Sequence, residues 1–366
     1  MRIAFDPQVF LLQEYGGISR YVCSLARQLA AYPDVDARII APLHYNRHLD
    51  EVPEGIARGW RVPRVRKTTR LVCSASEFLA KHAMQGFRPM IVHETYYSRQ
   101  SLAPKTARRV ITVYDMVSER FPAEFGGGQF TDTKKIAVSR ADHVLCISEY
   151  TRRDLIELFG IAPERTSVVY LGCDDLAPPV DAGAREENVS RPYLLYVGSR
   201  GGYKNFAALI RAFASSSWLR SNFSVMCFGG GAFIPDEREL FRQLQLSDVH
   251  VNQISGGDEI LASMYKNAAA FVYPSLYEGF GIPPLEAMSL GCPVICGNTS
   301  SIPEVVGDAG EYFDPNDTES VRTAIENVLQ STNRSNDLVA KGHARRALFS
   351  WERCARETLD IYRSIL

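Results

Sequence analysis

Two glutamates eight positions apart, Glu278 and Glu286, frame the segment YEGFGIPPLEA at 277–287. Gly279 and Gly281 lie between them, followed by Pro283 and Pro284. The run AAAFVYPS just upstream is short and apolar, as a buried parallel strand is. Paired prolines suit a first helical turn, where a missing N–H costs nothing. Gly291, Cys292 and Pro293 then stop that helix. The segment reads as strand, glycine loop and helix, with Glu278 in the loop and Glu286 in the first helical turn. Open α/β sheets bind ligands beyond the carboxyl ends of their strands. Loop amides and the positive helix end attract an anion there. Carboxylates beside an anion make sense when they accept from hydroxyls. A ligand carrying both phosphates and sugar hydroxyls, a nucleotide sugar, meets both demands.

A second segment, YVGSRGGYKNF at 196–206, also follows an apolar strand and opens a helix, whose core face includes Phe206, Leu209 and Phe213. Gly198, Gly201 and Gly202 let a ligand approach the backbone closely. Arg200 and Lys204 are then expected at the mouth of the site, two cations suited to a diphosphate. The spacing is neither a Walker A loop nor GxGxxG. Gly16-Gly17 opens a helix over 18–30 and is expected to admit phosphate or sugar at its start. His93 and Glu94 end one strand, Tyr114 and Asp115 another, and Glu119 follows. Their strand-end positions make His93, Tyr114 and Glu119 candidate acceptor contacts and Asp115 a candidate in the chemistry. Asp34-Val35-Asp36 precedes its strand, the wrong end for a ligand, so no metal site is expected there. No Ser/His/Asp order and no GxSxG elbow occurs.

These side chains need a scaffold. Segments 2–6, 37–42, 90–94, 109–115 and 143–148 read as strands separated by helices, and 193–198, 223–230, 250–254, 270–274 and 293–297 form a second such set. Alternation of strand and helix implies parallel sheets covered on both faces. The polar, Pro- and acid-rich stretch 174–192 is the expected linker between domains 1–173 and 193–350. The amphipathic end, 351–366, is expected to pack back toward the N-terminal domain.

The 366 residues suffice for two full cores, and 46% apolar and 23% charged residues are ordinary for a globular protein. No apolar run is long enough to span a bilayer, and the start, MRIAFD, lacks signal-peptide features. Eight cysteines without zinc spacing read as reduced core residues, so a cytoplasmic location is expected. Net charge is −1, but residues 1–172 carry 24 basic against 18 acidic side chains, a net of +6. Six of those cations, Arg58 to Arg70, fall within thirteen residues beside Trp60 with no acid. That run, 58–70, reads either as a solvated loop or as a contact with an anionic membrane surface or a phosphorylated acceptor. Nucleic acid is not expected at a pI near 6.7 without a binding motif.

Taken together, GGISRY (16–21), VITVYD (110–115), ADHVLCISEYTRRDL (141–155), YVGSRGGYKN (196–205), PSLYEGFGIPPLEAM (274–288) and IPEVVGDAG (302–310) resemble the family 4 retaining glycosyltransferases, and among them bacterial polysaccharide mannosyltransferases. The resemblance implies an α/β GT-B fold, two Rossmann-like doubly wound domains facing a cleft. It also implies a nucleotide-diphosphate sugar as donor substrate, with no cofactor and no essential metal. By the same resemblance Glu286 binds the ribose, Glu278 the donor sugar near its anomeric carbon, and Arg200 with Lys204 the diphosphate. Gly279, Phe280, Gly281 and Ile282 contact sugar hydroxyls, and the base lies near Gly229–Gly231 and Gln253–Ser255. GDP-mannose is the first candidate donor, with UDP- and dTDP-sugars open. The expected acceptor is a glycan or lipid-linked oligosaccharide, with peripheral contact at the inner membrane face. Many relatives carry a histidine where this chain has Tyr114 and Asp115. Two other readings stay open: a nucleotide-sugar epimerase or hydrolase on the same fold, and a non-catalytic binding subunit.

Overall fold

The computed structural model describes residues 1–65, 68–125, 128–174, 176 and 191–366. Most of the expected linker, together with Arg66 and Lys67 of the basic run, lies outside these residues. The chain divides into two compact units, Met1–Gly172 with Ser350–Leu366, and Cys173–Phe349.

The first unit is built on seven strands: β1 (Arg2–Phe5), β2 (Asp36–His44), β3 (Ala57–Arg61), β4 (Ile91–Glu94), β5 (Arg108–Val113), β6 (His143–Cys146) and β7 (Thr166–Val168). They lie in the order β3-β2-β1-β4-β5-β6-β7, every pairing parallel. β1 and β4 carry wholly buried Ile3, Ala4, Phe5, Ile91 and Val92, because helices cover both faces of the sheet. Two elements depart from the sequence reading. β3 is an edge strand inside the basic run, and its charged, exposed residues are how an edge resists pairing with another chain. The helix Thr69–Phe87 buries only Ser76, Ala80 and Met84, so its apolar periodicity is faint.

The last helix, Trp351–Ser364, belongs to this unit. It packs on helix Gly17–Ala30, with Trp351 against Tyr21 at 6.0 Å between ring centroids. Gly172 permits the chain to pass Trp351, since a Cβ there would stand 2.4 Å from the Trp351 nitrogen.

The second unit contains β8 (Tyr193–Val197), β9 (Ser224–Phe228), β10 (Val251–Ile254), β11 (Ala270–Tyr273), β12 (Val294–Gly297) and β13 (Gly310–Phe313). Their order is β10-β9-β8-β11-β12-β13, again all parallel. The strand order reverses between β8 and β11, the switch point at which doubly wound sheets bind ligands. Leu194, Tyr196, Phe206, Leu209, Phe213, Val272 and Ile295 share one core beneath it. This burial fixes the helix that follows the β8 loop. Among the described residues no helix is long and apolar enough to cross a membrane.

Candidate functional site

The two glycine loops leave the carboxyl ends of β8 and β11, and so flank the switch point of the second unit. After β8 the chain turns at Gly198, whose φ of 122° excludes a side chain, and its N–H donates to the Phe228 carbonyl. A single turn, Gly202–Lys204, then leads to Asn205 in the left-handed region, and helix Phe206–Ser215 begins. The Asn205 amide donates to the Pro315 carbonyl at 2.8 Å, which holds that conformation. After β11, the Leu276 N–H donates to the Tyr203 carbonyl at 2.7 Å and ties the loops together.

Lys204 spans the junction. Its ammonium donates to both Glu278 carboxylate oxygens, at 2.7 and 2.9 Å. The two side chains are 20% and 11% exposed, so the pair is screened from water but reachable. The Tyr273 hydroxyl also bonds the Glu278 carboxylate, and burial together with that charge holds its pKa well above the usual phenol range. The loop backbone is fixed independently. Its Glu278 N–H donates to Ser300 Oγ, and the buried Ser301 hydroxyl donates to the carbonyls of Glu278 and Phe280. Gly279 and Phe280 are buried, and Gly281, at φ 130°, turns the chain into helix Ile282–Ser289. Glu286 lies in the second turn of that helix rather than the first. It is half-buried and accepts from the Tyr265 hydroxyl at 3.2 Å. The structure thus brings Gly198, Lys204, Glu278, Gly279, Phe280, Gly281, Ile282 and Glu286 to one end of one sheet.

Arg200 is placed otherwise than expected. Its side chain is 3% exposed and pairs with Glu237 at 2.7 Å. The guanidinium also donates to the carbonyls of Gly229, Gly231 and Ala232, at 3.0, 2.9 and 3.1 Å, and lies 4.8 Å over the Phe233 ring. Gly229, Gly230 and Gly231 all have positive φ, and a Cβ on Gly230 would stand 2.6 Å from Arg200 Nη1. Arg200 therefore shapes the loop after β9 instead of standing at the mouth of the site. The physical reason is the partner: Glu237, from helix Pro235–Gln243, supplies a bidentate carboxylate that a planar guanidinium matches. Gln253 reaches the same loop, donating to the Gly229 carbonyl at 3.3 Å and to Ser255 Oγ at 2.7 Å.

In the first unit the expected acceptor contacts are mostly interior. His93 is wholly buried between Tyr362 and Thr112, at 2.5 and 2.8 Å, and burial pushes its pKa down to about 3. It is a neutral structural imidazole joining the sheet to the last helix. Tyr114 is buried and donates to the Thr95 carbonyl at 3.2 Å. Glu119 is paired with Lys134, itself wholly buried, at 2.7 Å. A short strand with polar termini gives no sign in sequence of which end group turns inward. Asp115 alone of these stays accessible, its side chain 42% exposed and 3.8 Å from Lys134 Nζ. Gly16 is extended, and Gln13 lies over it. A Cβ there would meet Gln13 Oε1 at 2.2 Å, and that oxygen accepts from the Ser19 N–H. Gly17 opens the helix with free space at its Cα. Asp34 and Asp36 pair with Arg363 and Arg38.

Sequence reasoning missed Glu237, Tyr273, Tyr265, the Ser300-Ser301 clamp and Lys134. Only the serines carried a local signal, since they precede the IPEVV helix as capping residues do.

Two family models match the chain in turn. The family described as glycosyl transferases group 1 matches residues 181–345, and glycosyltransferase family 4 matches residues 15–175. The O-antigen chain mannosyltransferase B of Escherichia coli is 27% identical over 95% of this chain and 96% of its own length. Sucrose-phosphate synthase from Thermosynechococcus elongatus superposes with a TM-score of 0.76 at 21% identity, covering 100% and 99% of the two chains. Anabaena HepE, solved in complex with UDP-glucose, gives 0.75 at 15% identity, covering 100% of each. The two matched domains place the chain in the family 4 glycosyltransferases, and the parallel sheets and the solved structures give it the GT-B fold.

Proposed function

We propose that the chain transfers a sugar, with retention of anomeric configuration, from a nucleotide diphosphate to a hydroxyl of a glycan or lipid-linked oligosaccharide in bacterial surface polysaccharide synthesis. The observation that carries this reading is the Lys204–Glu278 pair across the β8 and β11 loops. It sets a cation for phosphate beside a carboxylate for hydroxyls, at the start of a helix. GDP-mannose is the preferred donor, by similarity to the E. coli mannosyltransferase.

In this reading Lys204 and the amino end of helix Ile282–Ser289 stabilise the charge that develops on the leaving diphosphate. No essential metal is required for that step. Glu278 faces the sugar, where positive charge grows as the glycosidic bond to phosphate breaks. Glu286 accepts from the ribose hydroxyls. A leaving-phosphate oxygen takes the acceptor proton on the same face, so bond cleavage and proton transfer balance without a separate base. Asp115, at the end of β5, is assigned a contact with donor or acceptor.

The test is product analysis with GDP-mannose, UDP-glucose and a dTDP-sugar, with and without a glycan acceptor. Transfer requires the acceptor and releases nucleoside diphosphate in step with product. Full conversion of donor without acceptor would instead identify an epimerase or hydrolase.

Arg200 takes a positioning role here, through the Gly229–Ala232 loop assigned to the base. Arg200→Lys keeps the charge but loses the forked geometry. It should raise the donor KM by about tenfold, leave kcat within about twofold, and blur selection among GDP, UDP and dTDP. A direct diphosphate contact would instead lower kcat and leave base preference unchanged.

A further inference from the structure

We propose that the second unit holds a site for a phosphate dianion, free or carried by a small phosphomonoester, at the amino ends of β8, β9 and β10. A cavity of about 470 Å³ opens there, lined by Arg191, Ser217, Arg220, Ser221, Val249 and His250. No acidic side chain lines it. Arg191 stands just before β8, Val249 and His250 just before β10, and helix Ser217–Asn222 leads into β9. The donor loops leave the other, carboxyl ends of the sheet. The five residues of β8 set the two ends roughly 17 Å apart, so the two sites take separate ligands.

Each polar residue is held in a way that leaves donors over. Ser216 caps helix Ser217–Asn222 by accepting from the Leu219 N–H at 3.2 Å, so the helix start is already satisfied. Wholly buried Leu219 turns one face of the helix into the core. Ser217, Arg220 and Ser221, at i, i+3 and i+4, share another face. Arg191 donates to the Arg220 carbonyl at 3.2 Å, which brings a second guanidinium to the same end of the helix. In His250, Nδ1 accepts from the Ser247 N–H at 3.2 Å, so the neutral ring carries its hydrogen on Nε2. Burial, and then the charges of Arg191 and Arg220, hold the His250 pKa below the usual imidazole range. The three basic groups are therefore within electrostatic reach of one another.

This cluster has no counter-charge among the described residues. Arg200, Arg322 and Arg334 of the same unit each hold a carboxylate. Arg191 and Arg220 hold none, and Arg220 Nε is buried without a hydrogen-bond partner among the described residues. A buried guanidinium nitrogen left unpaired costs free energy, and so does gathering like charges. An oxyanion with several lone pairs answers both. Guanidinium forks match phosphate oxygens. The two serine hydroxyls and the His250 Nε2–H add neutral donors. Val249, 59% exposed, supplies an apolar wall for the organic body of an ester. The cavity has the size of a small-molecule site rather than of a bare ion.

The test is calorimetric titration of inorganic phosphate and, separately, of glucose 6-phosphate into the full chain, at fixed ionic strength and without other oxyanions. Saturable binding of one equivalent is expected. Arg191→Gln/Arg220→Gln should weaken it at least tenfold, since charge-assisted contacts are lost. The same variant should keep its turnover of nucleotide sugar and its Tm in oxyanion-free buffer. Bound phosphate should raise the pH at which the His250 ring titrates by NMR, because a nearby anion favours imidazolium. Lys204→Met, altered in the proposed donor site, should bind both probes as the native protein does. A preference for glucose 6-phosphate that Val249→Ser removes assigns the site to an ester. Equal binding of both probes assigns it to free phosphate. Non-saturable binding, an unaffected double-arginine variant, an unmoved His250 titration, or loss of binding in Lys204→Met would overturn the proposal.

Discussion

Replacing Lys204 should cut donor turnover by one to two orders of magnitude, and the loss should separate from any loss of stability. A charge-assisted contact to a dianion in a partly dry site contributes about 1.5–3 kcal/mol. Lys204→Met should therefore lower donor turnover by roughly ten- to a hundredfold. The same change leaves the Glu278 carboxylate, 11% exposed, without its cation. Removing one partner of a screened pair destabilises a fold by more than the pair contributes. Tm should fall in Lys204→Met. In Lys204→Met/Glu278→Gln the site holds no unpaired charge, so Tm should recover while activity does not. Recovery of both would reduce Lys204 to a structural partner of Glu278.

The two glutamates should fail in different ways. Glu286 sits on a helix and accepts from Tyr265, and its proposed contact with ribose hydroxyls is alike in ground and transition states. Glu286→Gln should raise the donor KM about tenfold or more and change kcat little. In the proposed reading Glu278 faces the centre where charge develops, so Glu278→Gln should lower kcat about a hundredfold. The ion pair adds a consequence for binding. Glu278 holds Lys204 at 2.7 Å, so a diphosphate that takes Lys204, as proposed, displaces it. Glu278→Gln removes that competitor, and free nucleoside diphosphate should bind several-fold more tightly. Loss of nucleotide binding in Glu278→Gln, with Glu286→Gln unaffected, would reverse the two roles.

The strands, loops and helices of the second unit's candidate site are legible because their signals are local. A buried apolar strand, a glycine loop and a proline-led helix lie within about twenty residues, and the Glu278–Glu286 spacing survives any uncertainty in helix boundaries. The parallel arrangement of the strands follows from the alternation of strand and helix, whereas their order is seen only in the structure. What was not legible is long-range pairing. Arg200 looked like a phosphate ligand because its partner Glu237 lies 37 residues away, in another helix. Lys134 and Glu119 neutralise one another inside the first unit, whereas Glu119 reads in sequence as an acceptor contact. His93 reads as a strand-end ligand, and only the return of the last helix shows that Tyr362 fills its other side. β3 was hidden because an edge strand protected by arginines has the composition of a loop.

In the proposed reading Lys204 and Glu278 exchange their mutual contact for a nucleotide-diphosphate sugar. Calorimetric titration of free GDP and UDP into the native protein, Glu278→Gln, Lys204→Met and the double variant tests it most directly. At least one of the two nucleotides should bind more tightly to Glu278→Gln than to the native protein. Binding should weaken in Lys204→Met, with no gain from Glu278→Gln once Lys204 is gone. Binding that is unchanged across all four proteins would contradict it.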